Sequence, residues 1–436
     1  MTDSQVFTLI NIAVMVVVMW ITPLQFIPFF IWLERKGSAI IQDRIGPNRA
    51  EIFGVRLFGM IHNLADVVKL LMKENITPTN ANRFYYLLAP MWAMTVSLLP
   101  LLVIPLAGPL SLGDHEIRFQ AADFGVGILY VFSVTSMGVF GVILAGWASN
   151  NKFSLLGGLR SSAQMISYEL SMGLSIVGLL MVYQGVGVSQ IVETQGRLLS
   201  CFGHNLPLPN WGIFLQPVGF VLFIVAAFAE TNRNPFDLAE GESELVAGYH
   251  VEYSSVKFAL FFMAEYSNMV VASFLISTLF FGGYQVPYAP TEVLVANPEA
   301  VLIILCLGLV VGGGLFGTLL YQRANQQRAL YSGMKRWEPF ILSGAGFGAA
   351  VTGLVVFGLS FAVAFPAWVA PVLAALLQMG CLLIKVLFFC WLFVWVRWTL
   401  PRFRYDQLMK LGWKFMLPLA LANLLATGVL ILLQKG

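Results

Sequence analysis

The chain has 436 residues, of which 58% are hydrophobic and only 11% charged, against roughly 45–50% and about 25% in ordinary soluble domains. That composition excludes a soluble enzyme, a disordered chain, a nucleic-acid binder and a secreted disulfide scaffold, and it describes a polytopic membrane protein. The net charge of +3 is small, so where the charges fall matters more than their sum. Cys201, Cys306, Cys381 and Cys390 form no C-x-x-C pair, and His62, His115, His204 and His250 form no i, i+4 pair. Neither a metal nor a haem or iron–sulfur ligand set is expected on this chain.

A bilayer core about 30 Å thick takes roughly 20 apolar residues per helix. Ten such runs lie near 6–33, 84–106, 124–148, 165–184, 212–230, 257–281, 300–321, 340–364, 370–397 and 414–433. They predict an all-α, polytopic transmembrane helix bundle in one integral membrane domain spanning residues 1–436, because hydrocarbon offers no partner for a free N–H or C=O. The first run has Asp3 at its head, no basic residue before Arg35, and too great a length for a cleaved signal. With the N-terminus outside, loops 34–83, 149–164, 231–256, 322–339 and 397–414 fall inside and carry 20 of the 25 Lys and Arg residues. Only Arg118, Arg197 and Lys435 then lie outside. The positive-inside rule therefore favours an N-terminus outside and an even number of helices. Gly308, Gly312, Gly313 and Gly317 give two adjacent G-x-x-x-G spacings, and Gly344 with Gly348 gives a third. All are read as close helix packing.

Three of the inner segments are too patterned to be plain connectors. In 34–83, Glu34-Arg35-Lys36-Gly37 is followed by Arg44-Ile45-Gly46-Pro47-Asn48, whose Gly-Pro-Asn marks a turn. Residues 55–73 then predict an amphipathic helix in the membrane interface. Leu57, Ile61, Leu64, Val68 and Leu71 share one face, and His62, Asp66, Lys69 and Lys73 the other. Such a helix could be a simple interfacial anchor or the roof of an opening for an apolar ligand. The segment 230–256 holds Glu230, Asp237, Glu240, Glu242, Glu244 and Glu252 against the single Arg233, the wrong sign for an inner loop. Asn234-Pro235-Phe236-Asp237 predicts a helix start, which would set Asp237, Glu240 and Glu244 on one face. Carboxylates so crowded cannot all stay ionised cheaply. A solvated acidic loop is the plainer alternative. The third segment, 397–414, opens with Arg397-Trp398-Thr399-Leu400-Pro401-Arg402-Phe403-Arg404, for which positive-inside anchoring is the ordinary explanation.

Glu169, Glu265 and Lys385 are the charges inside the apolar runs. Each costs about 2.5–3.5 kcal/mol at mid-bilayer on insertion scales, so each needs a partner or water. Together with Glu34, Asp66, Glu230 and the acidic loop, the two carboxylates could line one proton path, or they could be structural ion-pair partners. No nucleophile–base arrangement is visible, and no complete active site is expected on this chain.

These segments together resemble the H-subunit family of bacterial NADH–quinone oxidoreductase, respiratory complex I. The resemblance rests on Glu34-Arg35-Lys36 with Arg44 to Asn48, on the stretch Ala229–Tyr253 continuing through Phe258–Tyr266, on Arg397 to Gln407, and more weakly on Gly146–Glu169. It covers about 1–284 and 366–434. It implies a multi-pass subunit of the bacterial cytoplasmic membrane that forms much of a quinone tunnel, with quinone as substrate. Its partners would be peripheral-arm and membrane-arm subunits, with flavin and iron–sulfur clusters on those partners only. By the same resemblance Arg35, Arg44, Asp66, Phe236 and Arg397 line the tunnel. Glu34, Glu169, Glu230, Asp237, Glu240, Glu242, Glu244 and Glu265 form the link that couples quinone reduction to proton translocation.

The family pattern has eight helices, so residues 285–365 stand out as an inserted pair of apolar runs, expected to pack on the rim. The run 124–148 carries no carboxylate, so an acidic path must skip it or use water there. Two other functions fit parts of the sequence. One is the membrane anchor of an energy-converting hydrogenase or related dehydrogenase. The other is a self-contained secondary transporter, for which an inverted repeat would be expected and none is visible.

Overall fold

The computed structural model describes residues 9, 13, 17, 22–112, 115–201, 204–238, 246–327, 334–360, 366 and 368–435. Helices occupy all ten apolar runs. In chain order they are α1 (Thr22–Ile41), the short α2 (Ile61–Met72), α3 (Arg83–Leu98), α4 (Gly127–Ala148), α5 (Lys152–Tyr183) and the short α6 (Val188–Gln195). There follow α7 (Pro217–Glu230), α8 (Ser255–Phe280), the short α9 (Thr291–Ala296), α10 (Pro298–Gln327), α11 (Met334–Ser360) and α12 (Val369–Thr399). The short α13 (Tyr405–Lys410) runs through a π-helical stretch into α14 (Leu417–Lys435). Two antiparallel hairpins, β1 (Leu110–Leu112) with β2 (His115–Ile117) and β3 (Leu198–Cys201) with β4 (His204–Pro209), are the only sheets among the described residues.

Eight of these helical stretches are long and apolar enough to cross a membrane by length and composition. The run at 212–230 is instead broken. A single turn, Gly212–Leu215, is followed at Gln216 by non-helical backbone, and α7 restarts at Pro217. Its polar atoms are not left bare. Gln216 Nε2 donates to Thr427 Oγ1 at 2.7 Å and Asn423 Nδ2 donates to Gln216 Oε1 at 2.8 Å. Irregular backbone at membrane depth is tolerated where protein side chains satisfy it in this way.

The core is contributed mainly by α5, α7, α8 and α12, where Tyr168, Phe223, Phe274, Phe280 and Phe393 are almost fully buried. Helices α4 and α5 come close at glycines: a Cβ on Gly146 would lie 2.6 Å from Ser154 O and 3.3 Å from Gly158 Cα. The G-x-x-x-G expectation divides. A Cβ on Gly313 would sit 2.7 Å from Gly346 O, and Gly317 also contacts α11, so the α10–α11 crossing is a glycine contact. At Gly308, Gly312, Gly344 and Gly348, by contrast, a Cβ would meet no atom within 4 Å. The contact residue on α11 is Gly346, between Gly344 and Gly348.

The amphipathic helix is shorter than the predicted 55–73, because α2 begins at Ile61. Ahead of it the chain takes left-handed backbone at Leu57, Phe58 and Gly59 (φ 45°, 56° and 91°). At Gly59 a Cβ would stand 2.2 Å from Pro47 O, which no side chain permits. α-Helical bonding gives way there to a single 3-10 turn, Gly59 N donating to Arg56 O at 2.9 Å and Met60 N to Leu57 O at 3.0 Å, while Glu338 of α11 accepts the Arg56 and Phe58 backbone N–H groups at 3.2 and 2.9 Å. From α2, His62 Nε2 accepts the Arg49 and Ala50 N–H groups, each at 3.1 Å, and so fastens the preceding loop. The apolar face of α2, with Leu64, Val68 and Leu71, is exposed on this chain.

A helix start at Asn234 is not what forms. Residues 231–238 are turns, the Asn234–Pro235 peptide is cis, and Asn234 Nδ2 donates to Arg397 O at 2.9 Å instead of capping a helix. Glu240, Glu242 and Glu244 lie outside the described residues.

The partner that Lys385 requires is no carboxylate. Its Nζ donates to Phe281 O, Gly283 O and Gln285 O at 2.8–2.9 Å, closing the C-terminal end of α8, where a cation also meets the negative end of the helix dipole. Lys385→Met keeps the side-chain length but strands these carbonyls, each unmade bond costing about 1–3 kcal/mol. The expected result is a lowered unfolding temperature of the solubilised protein, read by differential scanning fluorimetry.

Candidate functional site

The charged segments meet at one end of the bundle. Glu34 points inward from α1 and is 6% exposed. It receives Tyr266 Oη of α8 at 2.6 Å, Arg233 Nη1 at 3.1 Å and Arg397 Nη1 of α12 at 2.6 Å. Arg233, 2% exposed, pairs with a second carboxylate, its Nε lying 2.8 Å from Glu265 Oε1. The same guanidinium stacks 4.2 Å from the Tyr266 ring centroid. Burial works against its charge, but Glu265, Tyr266 and Glu34 outweigh burial and hold Arg233 well above the ordinary arginine range. Two arginines thus face two carboxylates from four separate segments of chain.

Local structure puts them there. Gln164 of α5 clamps the turn after α7, its Nε2 donating to Ala229 O and Phe236 O at 2.7 Å each. The turn is tied to the 397–404 segment through Phe403 N to Pro235 O at 3.0 Å and through the pair Arg402–Asp237 at 2.6 Å. A close approach of α1 to α12 completes the arrangement: a Cβ on Gly37 would stand 3.0 Å from the Trp391 ring.

Behind Glu265 lies a small, partly open cavity of about 50 Å³, where Ser97, Thr135, Glu230, Asn232, Glu265 and Asn268 share the lining with apolar side chains such as Val96, Val142 and Phe261. One water needs only about 10–15 Å³ of such volume, so a few would fit. Glu230 ends α7 at this cavity. Beyond it, Glu169 of α5 accepts a hydrogen bond from Ser136 of α4. Helix α4 carries no carboxylate, yet it supplies the hydroxyls of Thr135 and Ser136 along this line. Nearby His250 is pushed down by burial to about 4, so it stays neutral near pH 7 and adds no charge there.

The structure therefore brings together Glu34, Asp237, Glu265, Arg397 and, across the cavity, Glu230 and Glu169. Arg35 leaves α1 on the side of α2 and pairs with Asp66 at 2.6 Å, both about two-fifths exposed. Phe236 is buried, its ring packed against Tyr168 and Phe403 with centroids 5.7 and 5.5 Å away. Arg44 stands apart, in a cleft between α1, α12 and the α10–α11 pair. Helices α9 and α10 pack against α12, and α11 packs on α10, with mostly exposed outer faces, but the α10–α11 pair is not confined to the rim. Glu338 forms a buried pair with Arg56 at 2.9 Å beside that cleft. Sequence reasoning passed over Arg233 and Tyr266, although a lone arginine amid six carboxylates is itself a signal that it is shared.

These features define an all-helical, multi-pass membrane protein with an ionic cluster at one end of its helix bundle. Residues 12–428 match the NADH dehydrogenase family. The chain is 42% identical over 430 residues to the H-type subunit of NADH-quinone oxidoreductase from Bdellovibrio bacteriovorus, covering 95% of this chain and 94% of that one. It is 42% identical over 436 residues to the H-type subunit, numbered 1, of the same enzyme from Solibacter usitatus, covering 98% of each chain. With NADH-quinone oxidoreductase subunit 8 of Rhodothermus marinus it shares 43% over 401 residues, 92% of this chain and 91% of that one. The chain belongs to the H-subunit family of NADH-quinone oxidoreductases. It is accordingly a subunit of that enzyme complex, and other complex I subunits are its partners. Coverage of 98% on both sides leaves no room for an unmatched segment as long as 285–365. The helix pair expected to be an insertion is thus shared with such relatives.

Arg233→Met removes the cation common to two buried carboxylates. Taking one partner from a buried ion pair costs about 3–5 kcal/mol. The expected outcome is a loss of the assembled complex from membranes, measured by native gel electrophoresis, with partial recovery in Arg233→Lys.

Proposed function

We propose that this chain forms much of the quinone passage of a proton-pumping NADH-quinone oxidoreductase and couples quinone reduction to proton translocation. The observation that carries this reading is that Glu34 and Glu265 share Arg233, while Glu265 also borders the cavity that leads to Glu230. A change of charge at the α1 face of the cluster is then felt within the membrane domain. On this reading Arg35, Asp66 and Arg397 guide the quinone headgroup, since each is partly exposed beside the cluster. Phe236 acts as a support beneath the 397–404 segment and does not line the passage. Arg44 belongs to a different surface.

The coupling line runs from Glu34 through Arg233 to Glu265, then by water in the cavity to Glu230 and Glu169. Asp237 tunes it through Arg402, and Glu240, Glu242 and Glu244 belong to the same link by their place in the sequence. Peripheral-arm subunits close the passage and supply electrons from flavin and iron–sulfur clusters, and membrane-arm subunits receive the coupling. The chain would lie in the bacterial cytoplasmic membrane with its N-terminus outside.

Glu265→Gln keeps size and hydrogen bonding but cannot ionise. The variant is expected to assemble and to lose proton pumping, with turnover falling alongside. Acidification of proteoliposomes during NADH oxidation, scored against electron transfer in the same vesicles, is the measurement. Wild-type proton-to-electron ratios at wild-type turnover would leave Glu265 a structural ion-pair partner only.

Arg397→Ala probes the passage. NADH:quinone activity should fall by about tenfold, what one charge-assisted hydrogen bond in the transition state is worth. NADH oxidation by an artificial acceptor should persist. Loss of assembly instead would return the basic loop to simple anchoring.

A further inference from the structure

The cleft that holds Arg44 has a chemistry the coupling reading does not use. It measures about 540 Å³, inside the range of small-molecule sites, and opens between the charged end of α1, α12 and the α10–α11 pair. Its apolar lining is made by Trp32, Leu33, Phe316, Leu319, Leu320 and Trp391. Its charged lining is Lys36, Arg44, Arg56 and Arg323, with Glu338 the single carboxylate.

That carboxylate is already committed. Glu338 is 5% exposed and bound to Arg56 Nε at 2.9 Å, besides accepting the two backbone N–H groups of the 56–58 turn. Arg56 and Glu338 therefore neutralise one another. The other three cations have no carboxylate partner among the described residues. Lys36 Nζ donates to Ile45 O at 3.2 Å, Arg44 Nε donates to Gln42 Oε1 at 2.7 Å, and the side chain of Arg323 is exposed. Three uncompensated cations beside an apolar lining, at the end of three helices, match a ligand with one anionic end and long hydrocarbon chains.

We propose that this cleft seats an anionic phospholipid, its phosphate among Lys36, Arg44 and Arg323 and its acyl chains along Phe316, Leu319 and Trp391. Basic pockets between membrane helices are suited to such headgroups, each cation near the surface adding to the attraction. The proposal gives the α10–α11 pair a task. One wall of the cleft is α10, and Glu338 of α11 fixes the Arg56 turn that helps to line it. The lipid would hold the 44–58 loop against the bundle. This inference stands on the cleft's own residues and does not depend on the quinone reading.

The test uses the assembled complex in phosphatidylcholine nanodiscs doped with phosphatidylglycerol that carries an acyl-chain diazirine. After irradiation, labelled peptides are located by mass spectrometry. Label is expected on the 315–323 segment of α10 and around Trp391. Arg323→Glu should lower it by about tenfold, since the reversal removes one attraction and adds one repulsion. The same diazirine on phosphatidylcholine should label the unaltered chain no better than the variant. Equal labelling by the two lipids overturns the proposal, as does undiminished labelling of Arg323→Glu. So does a photoreactive quinone that labels these residues at the expense of phosphatidylglycerol. The comparison of lipids on the unaltered chain needs no substitution, so it decides the matter even where the variant fails to assemble.

Discussion

Arg233 is the constraint on which the charged end of this protein depends. A carboxylate withdrawn from water costs several kcal/mol unless it is paired and hydrogen-bonded. Glu34 and Glu265 are both withdrawn, on helices α1 and α8 that are far apart in sequence, and both meet the same guanidinium. That requirement dictates much else. The turn after α7 must carry Arg233 inward, so Gln164 holds it from one side and the 397–404 segment from the other. Helix α1 must come near enough to α12 for Arg397 to reach Glu34, which a glycine at position 37 allows.

The architecture was largely legible because hydrophobic length is a strong local signal in a membrane chain. Each of the ten apolar runs holds a helix, and the acidic and basic segments named from composition do converge. What escaped the sequence was set by partners distant along the chain. The helix expected from Asn234 does not start there, because the Asn234 amide is engaged by Arg397 O. Residues 55–60 have helical periodicity, but Glu338, nearly three hundred positions later, takes the backbone N–H groups of Arg56 and Phe58. Periodicity reports local preference, and a buried carboxylate arriving from elsewhere overrides it.

The site divides in the same way. Residue types were readable, since a carboxylate inside an apolar run announces itself by its cost. Which charge meets which was not. Arg35 and Arg44 look equivalent in sequence, yet one turns toward α2 and Asp66 while the other ends across α1 beside α10. Lys385 reads as the cation that an intramembrane glutamate would seek, but three backbone carbonyls at the end of α8 claim it first. The glycine pattern of α10 and α11 marked the contact correctly for Gly313 and Gly317. It missed Gly346, because spacing alone does not say which face of a helix meets its neighbour.

The balance of the cluster bears on how coupling would work. Two guanidinium groups face two carboxylates, so the buried assembly is close to neutral only while every member holds its place. Arg397 is the least enclosed of the four, its side chain 30% exposed where Arg233 is 2%. An anionic quinone species beside α1 would therefore compete first for Arg397. Glu34 would then lean on Arg233 alone and draw that guanidinium away from Glu265. A carboxylate losing its cation in a low-dielectric site binds a proton more readily. The cavity behind Glu265, with Glu230 across it, is where that proton would come from. On the proposed function, the quantity transmitted is thus a share of one arginine's charge, and no large movement of helices is needed to pass it on.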